Sequence, residues 1–195
     1  MSSSRLEAFS DGVLAIIITI MVLELRLPEQ KTFDALFHET GLSLLTYALS
    51  FIYVGIYWNN HHHLFQVVDH VDGVVLWANL HLLFWLSLFP LSTSWLDEQH
   101  LARDPAILYG ANLLGAAVAF FLMQVAVKRL PGGEKLAQAL GSNLKGWGSM
   151  VFYLVGIAIA FVAPRWSVVP FVVVALWWLV PDPRVERWLE ENARD

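Results

Sequence analysis

The sequence predicts an all-α integral membrane protein of six transmembrane helices with its N- and C-termini in the cytoplasm. Hydrophobic residues make up 57% of the 195-residue chain and charged residues only 15%, with nine tryptophans. That balance belongs to a membrane protein rather than a soluble one. Six apolar segments follow one another, at residues 5–27, 42–65, 73–96, 105–127, 147–163 and 166–180. With the N-terminus inside, the cytoplasmic side collects Arg5, Lys128, Arg129, Lys135, Lys145, Arg184, Arg187 and Arg194, against Arg26, Lys31, Arg103 and Arg165 outside. This excess sets the orientation and requires an even number of spans.

The first segment is almost unbroken apolar sequence over residues 12–23, preceded by a compact polar cluster of Arg5, Glu7, Ser10 and Asp11. Asp11 interrupts any short apolar core and no small-residue cleavage pattern follows, so this span is expected to remain in the mature protein. A helix places Asp11 roughly 9 Å further along than Arg5. If Arg5 anchors at the headgroups, Asp11 is already entering hydrocarbon, where an ionisable group marks a functional site unless it has partners.

The remaining elements follow in order. Glu24, Arg26 and Pro28 close the first span, and residues 29–40 read as a polar loop. The second span ends in Trp58-Asn59-Asn60-His61-His62-His63-Leu64-Phe65 and a short link that makes spans two and three an antiparallel hairpin. The third holds Asn79, His81 and an internal Pro90, tolerable where neighbouring groups satisfy the freed carbonyl. Pro105 suits the first turn of the fourth, and its glycines and alanines permit close helix approach. The sixth is short and carries Pro170; about 15 helical residues reach only some 22 Å. Residues 1–181 form one transmembrane domain, and residues 182–195 a polar cytoplasmic tail.

Several function classes are excluded or unsupported. The net charge of -5 and the absence of a basic patch with interleaved aromatics argue against nucleic-acid binding. No cysteine is present, which removes disulfides, thiolate metal sites and cysteine nucleophiles. The sequence has no phosphate-cradling glycine loop and no nucleophile-elbow serine, so it is not expected to be an enzyme and needs no cofactor. Arginines do not recur every third residue, and Thr-Val-Gly-Tyr-Gly is missing, which excludes a voltage-sensor helix and an ordinary potassium filter.

Three sets of residues carry the remaining interest. His61, His62 and His63 invite a metal reading, but consecutive helical residues point about 100° apart and cannot converge on one ion. Hydrogen-bonding, interfacial histidines are the better reading. Asp11, with Ser10 and Arg5, fits either a packing network that fixes the first helix or a direct proton or ion relay. Ile16, Thr19, Ile20 and Leu23 fall on one helix face, and Asp11 lies about 140° round from Ile16. Periodicity alone does not separate pore, lipid and packing for that stripe.

Arg5-Leu6-Glu7-Ala8-Phe9-Ser10-Asp11-Gly12-Val13, followed by Ala15-Ile16 and Leu23-Glu24-Leu25, resembles the first-span signature of the transmembrane protein 175 family. The motif ending span two, and Asn79 with Pro90 and Thr93 in span three, support the resemblance, which covers roughly the first half of the chain. It implies a potassium-selective channel, in the cell membrane in prokaryotes, with one set of six spans assembled as a homotetramer in lipid. The first helix would line the central pore. Ile16, Ile20 and Leu23 would form the hydrophobic constriction, and Thr19 a hydroxyl ring tied to selectivity. Arg5, Phe9, Ser10, Asp11, His61, His62 and Asn79 would form the polar network bracing that helix. His63 and His81 inherit no role. The alternatives are a proton-coupled transporter or proton pathway using Asp11 and the histidines, or a non-transporting membrane scaffold.

Overall fold

Helix α1 (Ser3–Leu23) starts where the chain pairs with the link between the next two helices. The Ser3 amide donates to the Asp69 carbonyl at 3.0 Å, the Val71 amide to the Met1 carbonyl at 2.9 Å, and Ser2 bridges His70. These bonds satisfy part of the unpaired N–H set at the helix start and tie α1 to its neighbours. The computed structural model describes residues 1–66, 68–131 and 144–179. Lys135, Val180 and the expected tail at 182–195, with Arg184, Arg187 and Arg194, lie outside them.

Helix α2 (Phe33–Phe65) begins well before residue 42. Residues 33–40 were expected in a polar loop and are helical instead. The reason is local: the Thr32 hydroxyl accepts from the Ala35 amide at 3.2 Å, and Asp34 sits in the first turn, where a carboxylate favours the helix dipole. At 33 residues the helix runs to about 50 Å, so part of it extends beyond the hydrocarbon core.

The expected third span is two helices, α3 (Gly73–Ser87) and α4 (Phe89–Glu98), joined at Leu88. Pro90 has no N–H and its ring excludes the Leu86 carbonyl, so the ladder breaks there. Asp72 caps α3 through the Val75 amide at 2.9 Å. After α4 the chain reverses through His100 and Leu101, both at positive φ (48° and 59°), with the Leu101 amide donating to the Leu96 carbonyl at 3.0 Å.

Helix α5 (Arg103–Val127) is the central packing element. Helix α6 (Leu144–Ala160) leads through a 3-10 turn (Pro164–Ser167) to α7 (Val168–Leu179). Pro170 falls in the first turn of α7, where a missing N–H costs little. By length and composition four helices suit a membrane crossing: Ser3–Leu23, Phe33–Phe65, Gly73–Glu98 and Arg103–Val127. Helices Leu144–Ala160 and Pro164–Leu179 are apolar and shorter.

The core is built round a knot of rings. Tyr53, Phe89, Tyr109, Tyr153 and Phe171 meet with centroids 5.8–6.3 Å apart. Each phenol in such a place needs a partner. Tyr53 donates to the Phe171 carbonyl at 2.6 Å, and Tyr109 meets Ser50 at 3.0 Å, itself 2.7 Å from Thr93. Gly110 makes room for Phe171: a Cβ there would lie 2.8 Å from the Phe171 ring and 2.7 Å from Ile157. Large apolar side chains such as Leu122, Leu154, Val155 and Leu176 remain on the outer surface, as suits a lipid environment.

Candidate functional site

Helix α1 has two unlike sides. Leu6, Ser10, Leu14, Ile17 and Met21 are buried against α2, α3 and α4, following the i, i+3, i+4 spacing of one packed face. The opposite side is left open by the protomer: Ile16 is 59% exposed, Ile20 41% and Leu23 81%. Thr19 is exposed beside them and its hydroxyl donates to the Ile16 carbonyl at 2.9 Å. Phe9 is exposed as well; seven residues before Ile16, it falls on nearly the same line along the helix.

Below this stripe, the packed face is pinned by a buried polar cluster. His61 Nε2 lies 2.8 Å from Asn79 Oδ1. Asn79 Nδ2 donates to Ser10 Oγ at 3.0 Å, and Ser10 Oγ donates to the Leu6 carbonyl at 2.9 Å. With the ring proton of His61 assigned to Nε2, His61, Asn79 and Ser10 each donate one hydrogen bond along this sequence. The order joins α2, α3 and α1 and terminates on a backbone carbonyl, which cannot pass a proton on.

Adjacent residues on a helix diverge, so Asp11 points away from Ser10's surroundings. The Trp58 indole donates to Asp11 Oδ1 at 3.0 Å, and the Trp58 ring stacks on His62 with centroids 6.4 Å apart. His62 Nδ1 faces Glu7 Oε1 at 3.2 Å, and Gln66 lies 2.9 Å from His62 Nε2 and 3.3 Å from His63. The three histidines therefore do not converge: His61 meets Asn79, His62 meets Glu7 and Gln66, and His63 meets Gln66. Arg5 and Phe9 are exposed and join neither cluster within the protomer. His81 accepts from the Trp85 indole at 3.0 Å on the outer side of α3.

The family resemblance implies one network of Arg5, Phe9, Ser10, Asp11, His61, His62 and Asn79. The structure brings Ser10, His61 and Asn79 together, and sets Asp11 and His62 in a second, more open group with Trp58, Glu7 and Gln66. Those last three are not among the residues the sequence singles out for the site. The spacing of Trp58, His62 and Gln66, each four apart, was the available signal, since it places them on one face of α2. Among the described residues no group of three or more His, Cys, Asp or Glu could hold a metal ion.

Comparison with known proteins places this geometry in a family. The family model for the endosomal/lysosomal potassium channel TMEM175 matches residues 5–90, the stretch that contains α1 to the start of α4. A potassium channel of Chryseobacterium sp. is 51% identical over 193 residues, which is 98% of this chain and 100% of that protein. The chain belongs to the TMEM175 family. A potassium channel of Streptomyces collinus is 35% identical over 125 residues, covering 60% of this chain and 61% of its own. The crystal structure of a lysosomal potassium-selective channel TMEM175 homolog from Chamaesiphon minutus superposes with a TM-score of 0.77 at 29% identity, covering 91% of this chain and 96% of that one. Members of the TMEM175 family are channels, and this chain is not an enzyme.

The position of Asp11 within this TMEM175 protomer carries a prediction. Asp11→Ala removes one hydrogen bond, to Trp58, on an open flank of α1. It is expected to impair assembly or opening more than it alters ion preference. Size-exclusion profiles and reversal potentials of the reconstituted variant check this; a pure selectivity change with normal expression contradicts it.

Proposed function

We propose that this protein is a passive potassium channel of the cell membrane, a homotetramer of six-span subunits with α1 on the axis and both termini in the cytoplasm. One observation supports it above the others: α1 is pinned on one face by buried polar bonds and leaves a continuous apolar stripe uncovered on the other. One such helix encloses nothing, whereas four copies about an axis do. Residues 1–181 are the channel domain in this reading, with the two shorter helices completing the six spans; slight bilayer thinning accommodates their length.

Ile16, Ile20 and Leu23 then form stacked apolar rings that resist wetting when narrow. Thr19 supplies the polar ring. Because its hydroxyl proton is spent on the Ile16 carbonyl, the oxygen lone pairs are what it offers outward, the polarity a cation requires. Ser10, His61 and Asn79 hold the rotation of α1, with Asp11, His62, Arg5 and Phe9 at its cytoplasmic end. Three bacterial relatives are named potassium channels, which favours this ion.

Flux from liposomes tests the reading. Potassium release driven by its own gradient, with no proton gradient, is expected. Flux that appears only when protons move instead identifies a proton-coupled transporter, and no flux identifies a scaffold. The termination of the buried His61–Asn79–Ser10 sequence on the Leu6 carbonyl argues against a proton path through that cluster.

A further inference from the structure

Helix α4 has a weak joint at each end. At its start the chain leaves α3 through Leu88, and Pro90 gives no N–H to the ladder. A proline break of this kind lets the two halves of a helix tilt against each other. At its other end His100 and Leu101 both hold positive φ, 48° and 59°. That left-handed conformation is costly for any residue with a side chain and persists only where the surroundings fix it.

Between these joints, side chains tie α4 to its neighbours. Asn112 Nδ2 of α5 donates to Ser92 Oγ at 3.0 Å. The Thr93 hydroxyl meets the Ser50 hydroxyl of α2 at 2.7 Å, and Ser50 also meets Tyr109. Ser50, Ser92, Thr93 and Asn112 are all buried. The first of these ties is incomplete, because Asn112 Oδ1 is buried without a hydrogen-bond partner among the described residues. An unpaired buried acceptor raises the energy of this arrangement. It thereby narrows the gap to an arrangement in which α4 is displaced.

The neighbour that such a displacement reaches is α1. A small cleft separates the two helices, with Met21, Glu24 and Leu25 on one side and Pro90, Ser94 and Asp97 on the other. Beyond it the Arg26 guanidinium donates to Glu98 Oε1 at 2.5 Å, three residues past Leu23. The ends of α1 and α4 are thus clasped across a seam that side chains do not fill, and a tilt of α4 carries the end of α1 with it.

We propose that α4 is a hinged lever. It pivots at Leu88 and at His100–Leu101, is latched by Ser92–Asn112 and Thr93–Ser50, and moves together with the end of α1 that carries Leu23. That this motion adjusts the constriction rests on the channel reading; the hinge and its latches do not.

The test is amide hydrogen exchange, read by mass spectrometry, on the full chain in phosphatidylcholine nanodiscs. Exchange reports opening unit by unit. Ser92→Ala is expected to speed exchange about three- to tenfold, as the loss of one interhelical hydrogen bond does. The acceleration should cover residues 92–98 and residues 23–25 together and leave residues 75–86 of α3 unchanged. Thr93→Val, which leaves Ser50 bonded to Tyr109, is expected to give the same pattern and stays decisive if Ser92→Ala does not fold. Unchanged exchange in α4, equal acceleration of α3, or acceleration of α4 without residues 23–25 overturns the proposal. Potassium flux on the same samples separates the two readings: the expected exchange pattern with no flux in wild type removes the channel assignment and leaves the lever standing.

Discussion

Ile16→Asn and Leu23→Asn are each expected to raise potassium conductance or weaken selectivity. Both side chains stand on the open side of α1, and in a tetramer each substitution replaces a whole ring of branched alkyl groups with amides. An apolar constriction blocks ions because water leaves it and takes the hydration shell with it. Amides hold water in the ring, and the barrier falls. Lowering it by about 1.4 kcal/mol raises flux about tenfold. The control is Ile17→Asn, one position along but 4% exposed. There an amide is forced into the packed face, which costs about 1–3 kcal/mol without a partner, so stability falls with no gain in flux. Potassium flux and thermal unfolding of the three variants check this. Unchanged flux in both Ile16→Asn and Leu23→Asn contradicts the assignment of the pore face.

Asn79→Ala is expected to destabilise the protomer more than any other single change in the polar cluster. Asn79 accepts from His61 and donates to Ser10, so it alone joins three helices. Alanine leaves the buried His61 N–H without an acceptor, which costs about 1–3 kcal/mol. Ser10 keeps its bond to the Leu6 carbonyl and is affected less. The thermal midpoint in detergent should fall clearly further for Asn79→Ala than for Asp11→Ala, whose carboxylate loses a single bond on an open flank. Equal midpoints for the two variants contradict the placement of Asn79 at the centre.

Much of the architecture was legible because apolar length and proline position act locally. The end of α2 at Phe65 and the disturbance at Pro90 follow from residues within a few positions of the event, whereas α1 ends at Leu23, four residues short of the expected 27. The early start of α2 was less so: residues 33–40 mix charge with Phe33, Leu36 and Phe37, and only the Thr32 cap decides for helix. The partner of Asp11 was not legible at all. Arg5 is the obvious candidate in sequence, yet it lies on the open stripe, and Trp58 reaches Asp11 because α2 packs beside α1. Ser10 and Asp11 are neighbours in sequence but face different surroundings, a distinction that depends on which face α2 and α3 cover. The meaning of the Ile16 stripe rests on the family resemblance, since lipid-facing and pore-facing apolar stripes share one periodicity.

Thiol modification along α1 tests the central claim most directly, because the chain contains no cysteine of its own. Ile16→Cys and Leu23→Cys place single thiols on the open stripe, and Ile17→Cys and Met21→Cys place them on the packed face. A water-soluble cationic thiol reagent, applied during potassium flux from liposomes, is expected to block the first pair and leave the second pair unaffected. Block of Ile17→Cys and Met21→Cys with unhindered flux through modified Ile16→Cys and Leu23→Cys would contradict it.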